Sequence, residues 1–260
     1  VDLNTVQEVC RPRSRELVPE FAEGDAYLAG GTWLFSEPQV GLRRLVDLTA
    51  LGWPALDRTA DGLSVGATCT LAQLEAFEAP AAWLAAEMIG PCCRALLGSF
   101  KIRRLATVGG NLCLALPASP MAALVTALDG VCTIWKPGGA RREIPASELI
   151  TGASRTCLAP GEILRSVLLP EAALRRRCAF RQTSLTPLGR SAALLIGTRD
   201  AAGVTLTITG SVARPVRLRE PTPESIDAAV PQWYDDVHGA PGWRRRITHL
   251  MAAEIVSELT

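Results

Sequence analysis

Two glycine pairs are the most chemically suggestive features of this 260-residue chain. The first stands in Ala29-Gly-Gly-Thr-Trp-Leu34 and the second in Thr107-Val-Gly-Gly-Asn111, each read as lying at the end of a strand. Adjacent glycines let a backbone take positive φ and turn sharply without a Cβ clash. Successive N–H groups can then face one concavity that suits a pyrophosphate or another anion. The hydroxyls of Thr32 and Thr107 could add hydrogen bonds to phosphate oxygens, and the Asn111 amide could donate or accept at a ring edge. Neither segment matches the G-x-G-x-x-G dinucleotide fingerprint or the P-loop. Taken singly, each pair also suits a plain tight turn.

The elements that must position these loops follow from periodicity. Residues 26–29 read as a short apolar strand running into Gly30-Gly31, 45–48 as another, and 63–67 as a half-buried strand with Leu63, Val65 and Ala67 on one face. Thr70 stands three before Gln73, a capping-box spacing, with Leu71 and Leu74 on one helical face. Residues 105–128 carry no charge, yet Gly109, Gly110, Asn111, Pro117 and Pro120 interrupt them. That argues against a membrane span and for strand, glycine loop and buried helix. The helix starts with Ser119 as N-cap and Pro120 in the first position, and Met121, Leu124, Val125 and Leu128 share a face. A hairpin (131–135 with 141–145) and a strand at 163–170 follow, then a composition shift near 171. A second hairpin, 191–198 with 204–210, has one buried face by its alternation of Val204, Leu206 and Ile208 with threonines. The chain ends in an amphipathic helix carrying Trp243, Ile247, Leu250, Met251 and Ile255.

Composition narrows the function classes. The 27 basic and 26 acidic side chains nearly cancel, which argues against a nucleic-acid binder, and 48% hydrophobic content excludes disorder. The two histidines, His238 and His249, both lie near the C-terminus, far in sequence from either glycine pair. None of the eight cysteines forms a C-x-x-C pair, so zinc-ribbon and iron–sulfur spacing is missing. They read as small buried hydrophobes in a reducing cytoplasm. Three minor features have both a bland and a sharp reading. Cys92–Cys93 is a core pair or a redox pair, and Asp235–Asp236 with His238 is a solvated loop or a metal site. The run Trp243 to Arg246 is a solvated helix face or a phosphate or partner patch.

Taken in order and spacing, the motifs resemble the FAD-binding (medium) subunit of the molybdenum hydroxylases, the family of xanthine dehydrogenase and carbon monoxide dehydrogenase flavoproteins. The residues that carry the likeness are Gly30-Gly-Thr32, Val46-Asp-Leu48, Gly66-Ala67 with Thr70, and Ile102-Arg103 leading to Ala106-Thr-Val-Gly-Gly-Asn111. Pro117-Ala-Ser119, Ala127-Leu-Asp129 and Pro160-Gly-Glu162 with Pro170 complete the series. The resemblance implies an α+β fold: a two-lobed FAD-binding domain of the vanillyl-alcohol-oxidase-like type over 1–171, dividing near 55, then a small sheet-plus-helix domain over 172–260. It implies FAD held by Leu28, Ala29, Gly30, Gly31, Thr32, Trp33 and Leu34, and by Thr107, Gly109, Gly110, Asn111 and Ser119. FAD would be non-covalent, with no catalytic acid or base and no metal in this chain.

The same resemblance implies a cytoplasmic electron-transfer subunit that works with a molybdopterin-binding large subunit and a [2Fe–2S] small subunit. Electrons would pass from the clusters to NAD⁺ or another acceptor; no nucleic acid or membrane is expected. Two positions depart from the pattern. Trp33 follows G-G-T where the family often has a small polar or acidic residue, and Pro120 replaces the aspartate of P-x-S-D. Arg181 and Arg190 are the candidates for a basic contact from the C-terminal part. The alternatives are a stand-alone FAD oxidoreductase and a flavin-poor structural subunit.

Overall fold

Short apolar strands separated by polar turns fold into three larger sheets and a two-stranded ribbon in a computed structural model that describes residues 2–96, 98–187 and 189–260. The N-terminal sheet is parallel, with β1 (Glu8–Cys10), β2 (Asp25–Leu28) and β3 (Arg44–Asp47) in the order β1-β3-β2. The buried Asp47 closes it, accepting hydrogen bonds from the Thr49 N–H (3.0 Å) and from Arg11 Nε (3.1 Å).

The central sheet is antiparallel. It is built from β4 (Leu56–Thr59), β5 (Gly62–Gly66), β6 (Val131–Trp135) and β7 (Arg141–Pro145). After the two-stranded ribbon β8 (Ile150–Gly152) and β9 (Arg155–Thr156), strand β10 (Ile163–Pro170) enters its middle, giving the order β4-β5-β10-β6-β7. Among the described residues the long β5–β6 connection holds five α-helices: α1 (Leu71–Glu75), α2 (Ile89–Ala95), α3 (Phe100–Leu105), α4 (Val108–Leu114) and α5 (Pro120–Ala127). The capping box of Thr70 with Gln73 and the Ser119 cap with Pro120 form as their spacing requires. A further turn of helix, α6 (Ala146–Leu149), follows β7.

Beyond α7 (Glu171–Leu174) the chain forms a third sheet of β11 (Arg177–Thr183), β12 (Ala193–Asp200), β13 (Gly203–Thr209) and β14 (Val216–Arg219), antiparallel in chain order. Two helices, α8 (Pro223–Ala229) and α9 (Pro241–Leu259), complete it. The mixture of helices and sheets is the α+β class that the motifs imply. No helix among the described residues is long and apolar enough to cross a membrane.

Three local expectations are corrected. Residues 105–107 form no strand: Leu105 ends α3 and Thr107 caps α4, so the second glycine pair sits inside a helix. The β12–β13 hairpin is buried on both faces rather than one. Ala193, Leu195, Leu206 and Ile208 join the core under α9, whereas Leu194 and Ile196 join the main core, and Thr207 and Thr209 share their face by register. That second face meets α5, all eight of whose residues are buried. The register of α9 also differs. Leu250 is 56% exposed, and Arg244 and Thr248 are buried in its place, with Met251, Ala252, Ile255 and Leu259.

Arg244 is the most deeply buried charge among the described residues. Its guanidinium donates to the carbonyls of Gly239 (2.8 Å) and Gly210 and pairs with Asp236, so Arg244 leaves the solvated basic face to exposed Arg245 and Arg246, and exposed Asp236 is not a free carboxylate. Removing the cation strands a carboxylate and two carbonyls. Arg244→Met is therefore expected to cost about 3 kcal/mol, lowering the thermal midpoint by on the order of 8 °C in a circular-dichroism melt.

Candidate functional site

Strand β2 delivers Leu28 and Ala29 to the edge of the N-terminal sheet, where the chain must turn against α3. Gly30 makes this possible: a Cβ there would overlap the Leu105 carbonyl oxygen. Gly31 takes φ +66°, the left-handed region that favours glycine. The chain then makes one helix-like turn, with Phe35 N–H donating to the Gly31 carbonyl and Ser36 N–H to that of Trp33, both at 2.9 Å. The leading amides of such a turn have no partner within it. Among the described residues, the N–H groups of Gly30, Gly31, Thr32, Trp33 and Leu34 have no acceptor, and neither has the Thr32 hydroxyl. All five residues are half-buried. Amides left over in this way are donors that an anion can use, and the Trp33 side chain does not consume its own amide.

The second glycine pair works differently. Thr107 is the N-cap of α4, and its Oγ1 accepts from Gly110 N–H at 3.0 Å. The neighbouring amides are also taken: Val108 N–H by the Cys69 carbonyl, Gly109 N–H by that of Ala67, and Asn111 N–H by that of Thr107. Neither glycine has positive φ. They are small for the sake of close approach instead. A Cβ on Gly109 would stand 2.6 Å from Ala67 Cβ and 2.7 Å from the Ala67 carbonyl oxygen, whereas exposed Gly110 faces only Thr107 Oγ1. The open-amide reading thus finds unpartnered donors at the first pair, whereas at the second the donors are already bonded.

Asn111 and Ser119 come together although eight residues separate them. Asn111 Oδ1 accepts from Ser119 Oγ (2.7 Å) and from Met121 N–H (3.1 Å), while Ser119 Oγ accepts from Ala122 N–H (3.1 Å). This clasp fixes the start of α5 beside α4. It commits the Asn111 carbonyl oxygen and leaves its NH₂ as the group free to donate. Pro120 is buried as the first residue of α5. The segments 28–34 and 107–119 contain no acid, base or histidine.

The remaining candidates make other contacts. Arg181 is bound to two carboxylates of α9, Glu254 (2.8 Å) and Glu258 (2.7 Å). Arg190 borders a cleft of about 80 Å³ with Pro117, Ser191, Tyr234 and Asp236. Cys92 and Cys93 are free thiols buried in α2, and burial pushes Cys93 up to about 12, which makes it a poor nucleophile. Among the described residues no cluster of His, Cys, Asp and Glu could hold a metal. A larger cavity, of about 520 Å³, lies between Phe21 and Tyr27 on one side and Trp135 and Lys136 on the other, and it shares no residue with either glycine segment. Gly66 escaped the sequence reading as a packing residue: a Cβ there would overlap the Pro54 carbonyl oxygen.

Comparison with known proteins gives the family and the fold. The family described as the FAD binding domain in molybdopterin dehydrogenase matches residues 5–172. Xanthine dehydrogenase of Oryza sativa subsp. japonica is 34% identical over 116 residues, which are 42% of this chain and 8% of that much longer protein. Three solved structures share the fold over nearly the whole chain. Quinoline 2-oxidoreductase from Pseudomonas putida 86 has a TM-score of 0.81 at 17% identity, covering 100% of this chain and 98% of that one. Reconstituted CO dehydrogenase from Oligotropha carboxidovorans has 0.81 at 21% identity, covering 97% and 96%. Carbon monoxide dehydrogenase from Hydrogenophaga pseudoflava, lacking the Mo-pyranopterin moiety, has 0.83 at 17% identity, covering 98% and 97%.

The division of labour between the glycines is testable without any ligand. Gly109→Val drives a branched side chain into the Ala67 backbone and is expected to lower the thermal midpoint by about 5 °C or more. Gly110→Ala meets one side-chain oxygen and should stay within about 2 °C of the parent in the same melt.

Proposed function

Since the chain belongs to the family of FAD binding domains in molybdopterin dehydrogenases, we propose that it is the electron-transfer subunit of a molybdopterin-dependent hydroxylase. In this reading a partner with [2Fe–2S] clusters supplies electrons, a second partner carries the molybdopterin, and NAD⁺ or another acceptor takes the electrons away. Residues 1–171 form the FAD-binding unit, divided near 55, and 172–260 a smaller C-terminal domain. Free, mostly buried cysteines suit a cytoplasmic setting. The chain is an oxidoreductase component, and FAD is the cofactor of its family.

The residues present fit that cofactor. The observation that carries the reading is the run of five unpartnered amides from Gly30 to Leu34, half-buried and held against Leu105 by a glycine. A dinucleotide pyrophosphate is an anion of the kind such amides bind. Leu28 and Ala29 set the loop on the end of β2, and the Thr32 hydroxyl adds a donor. Across the contact, exposed Gly110 leaves a bare stretch of backbone at the start of α4, with Thr107 and Gly109 anchoring that turn. The Asn111 NH₂, steadied by Ser119, is a donor for the polar edge of the flavin ring.

FAD, when bound, supplies the redox chemistry by accepting and releasing one or two electrons. The chain's own part is to bind, orient and exclude solvent with backbone groups that neither gain nor lose protons. The absence of an acid or base from 28–34 and 107–119 favours this role over a stand-alone oxidoreductase, which must move a substrate proton. The open cradle likewise favours a flavin-bearing subunit over a flavin-poor one, despite Pro120. The purified chain, mixed with FAD and desalted, is expected to keep about one flavin per chain in its absorbance spectrum. A folded chain that emerges colourless would contradict the proposal.

A further inference from the structure

Helix α3 turns apolar side chains outward. None of its residues, Phe100-Lys-Ile-Arg-Arg-Leu105, is buried, and Phe100 and Leu105 are 60% and 55% exposed. Phe100, Lys101, Arg104 and Leu105 stand at i, i+1, i+4 and i+5, so they share one side of the helix. The Arg104 guanidinium lies over the Phe100 ring, 5.8 Å from its centroid. Arg103 takes another side and pairs with Glu75 of α1, the helix against which α3 packs. Apolar side chains exposed singly need no explanation, but a group of them rimmed by charge is the mark of an interaction surface.

The charge of this face is of one sign. Glu75 is shared by Arg94 and Arg103, whereas exposed Lys101 and Arg104 have no carboxylate partner among the described residues. No acid occurs in the sequence between Glu87 and Asp129. Two copies of a basic face repel each other, so a second copy of this chain is a poor occupant. An apolar patch with a basic rim is complementary to a protein whose own patch has an acidic rim.

The place of this face in the fold says what such a partner does. Leu105 ends α3, and its carbonyl oxygen is the atom that Gly30 rests on, so the helix adjoins the five unpartnered amides of 30–34. Phe35, whose ring borders Gly31, is 47% exposed as well. Through Ala106 the chain runs from α3 straight into Thr107 and the α4 turn that carries Asn111. Electron tunnelling falls steeply with distance, so a protein that feeds electrons to a flavin must dock beside it. We infer that the outward face of α3 is the docking surface for that electron donor, an acidic-rimmed protein carrying an iron–sulfur cluster. Phe100 is the apolar anchor of the contact, and Lys101 and Arg104 steer the donor to it. The inference rests on the electron-transfer reading and adds the surface through which that reading works.

The test is reassociation of separated components. The tagged chain is purified from its own source cells, and the iron–sulfur protein that comes with it, identified by iron and acid-labile sulfide in equal amounts, is detached in high salt. That protein is titrated against the flavin-loaded parent, Phe100→Glu, the double variant Lys101→Glu with Arg104→Glu, and Leu250→Glu. The last is a control at a comparably exposed apolar residue of α9. Phe100→Glu is expected to weaken binding by about tenfold to a hundredfold and to keep its FAD. The double variant should slow association and flatten its dependence on salt, and Leu250→Glu should bind as the parent does. Unchanged affinity in folded Phe100→Glu would overturn the inference and leave the electron-transfer reading intact, and an equal loss in Leu250→Glu would overturn it too. Loss of FAD from Phe100→Glu with the donor still bound would assign the face to the cofactor instead. If Phe100→Glu does not fold, a double variant with the parent's association rate and salt dependence would count against the inference. A parent chain that carries FAD but brings no iron–sulfur protein out of its cells would contradict the electron-transfer reading, and the inference with it.

Discussion

The site depends on one contact: the α-carbon of Gly30 resting on the carbonyl oxygen of Leu105. No side chain fits between them, so the loop after β2 and the segment leading into α4 are held backbone to backbone. Two more contacts of the same kind continue this packing, Gly109 against Ala67 and Gly66 against Pro54. Close packing of this sort is stiff, because main-chain atoms cannot adopt another rotamer. It also decides which amides remain available. Those around Gly109 are used to hold α4 to the strand end at Ala67, and those after Gly30 are left over.

That asymmetry gives the two glycine pairs separate tasks, although they look alike in sequence. The first pair makes a surface of unpartnered donors. The second makes a platform whose donors are already spent and whose exposed glycine simply stays out of the way. A redox cofactor benefits from both, since rigid backbone dipoles can bind and tune it without titrating themselves. The charges this chain buries are used for architecture: Asp47 closes the first sheet, Glu162 holds Arg142 and Arg244 anchors the loop before α9.

What was legible in the sequence was local. The Thr70–Gln73 box, the Ser119–Pro120 helix start and the 131–145 hairpin are specified within a few residues, and they form as written. The order of the motifs carried the family as well. What was not legible depends on partners distant in the chain. The threonines of β13 look like a solvent face until α5 covers them, and Arg244 looks solvated until Gly210, 34 residues away, takes one of its protons in a hydrogen bond. The apolar run into Gly109 reads as a strand because nothing nearby reveals that Ala67 and Cys69 will claim its amides. The Asn111–Ser119 clasp is likewise a tertiary fact.

The most direct test is amide hydrogen exchange, resolved by residue, with and without FAD. In the free chain Val108 to Asn111 should already be protected and Gly30 to Leu34 should exchange quickly, because only the former have acceptors. Adding FAD should slow Gly30 to Leu34 and change the other set little. Fast exchange at 108–111 in the free chain, with protection by FAD appearing there and not at 30–34, would contradict the account.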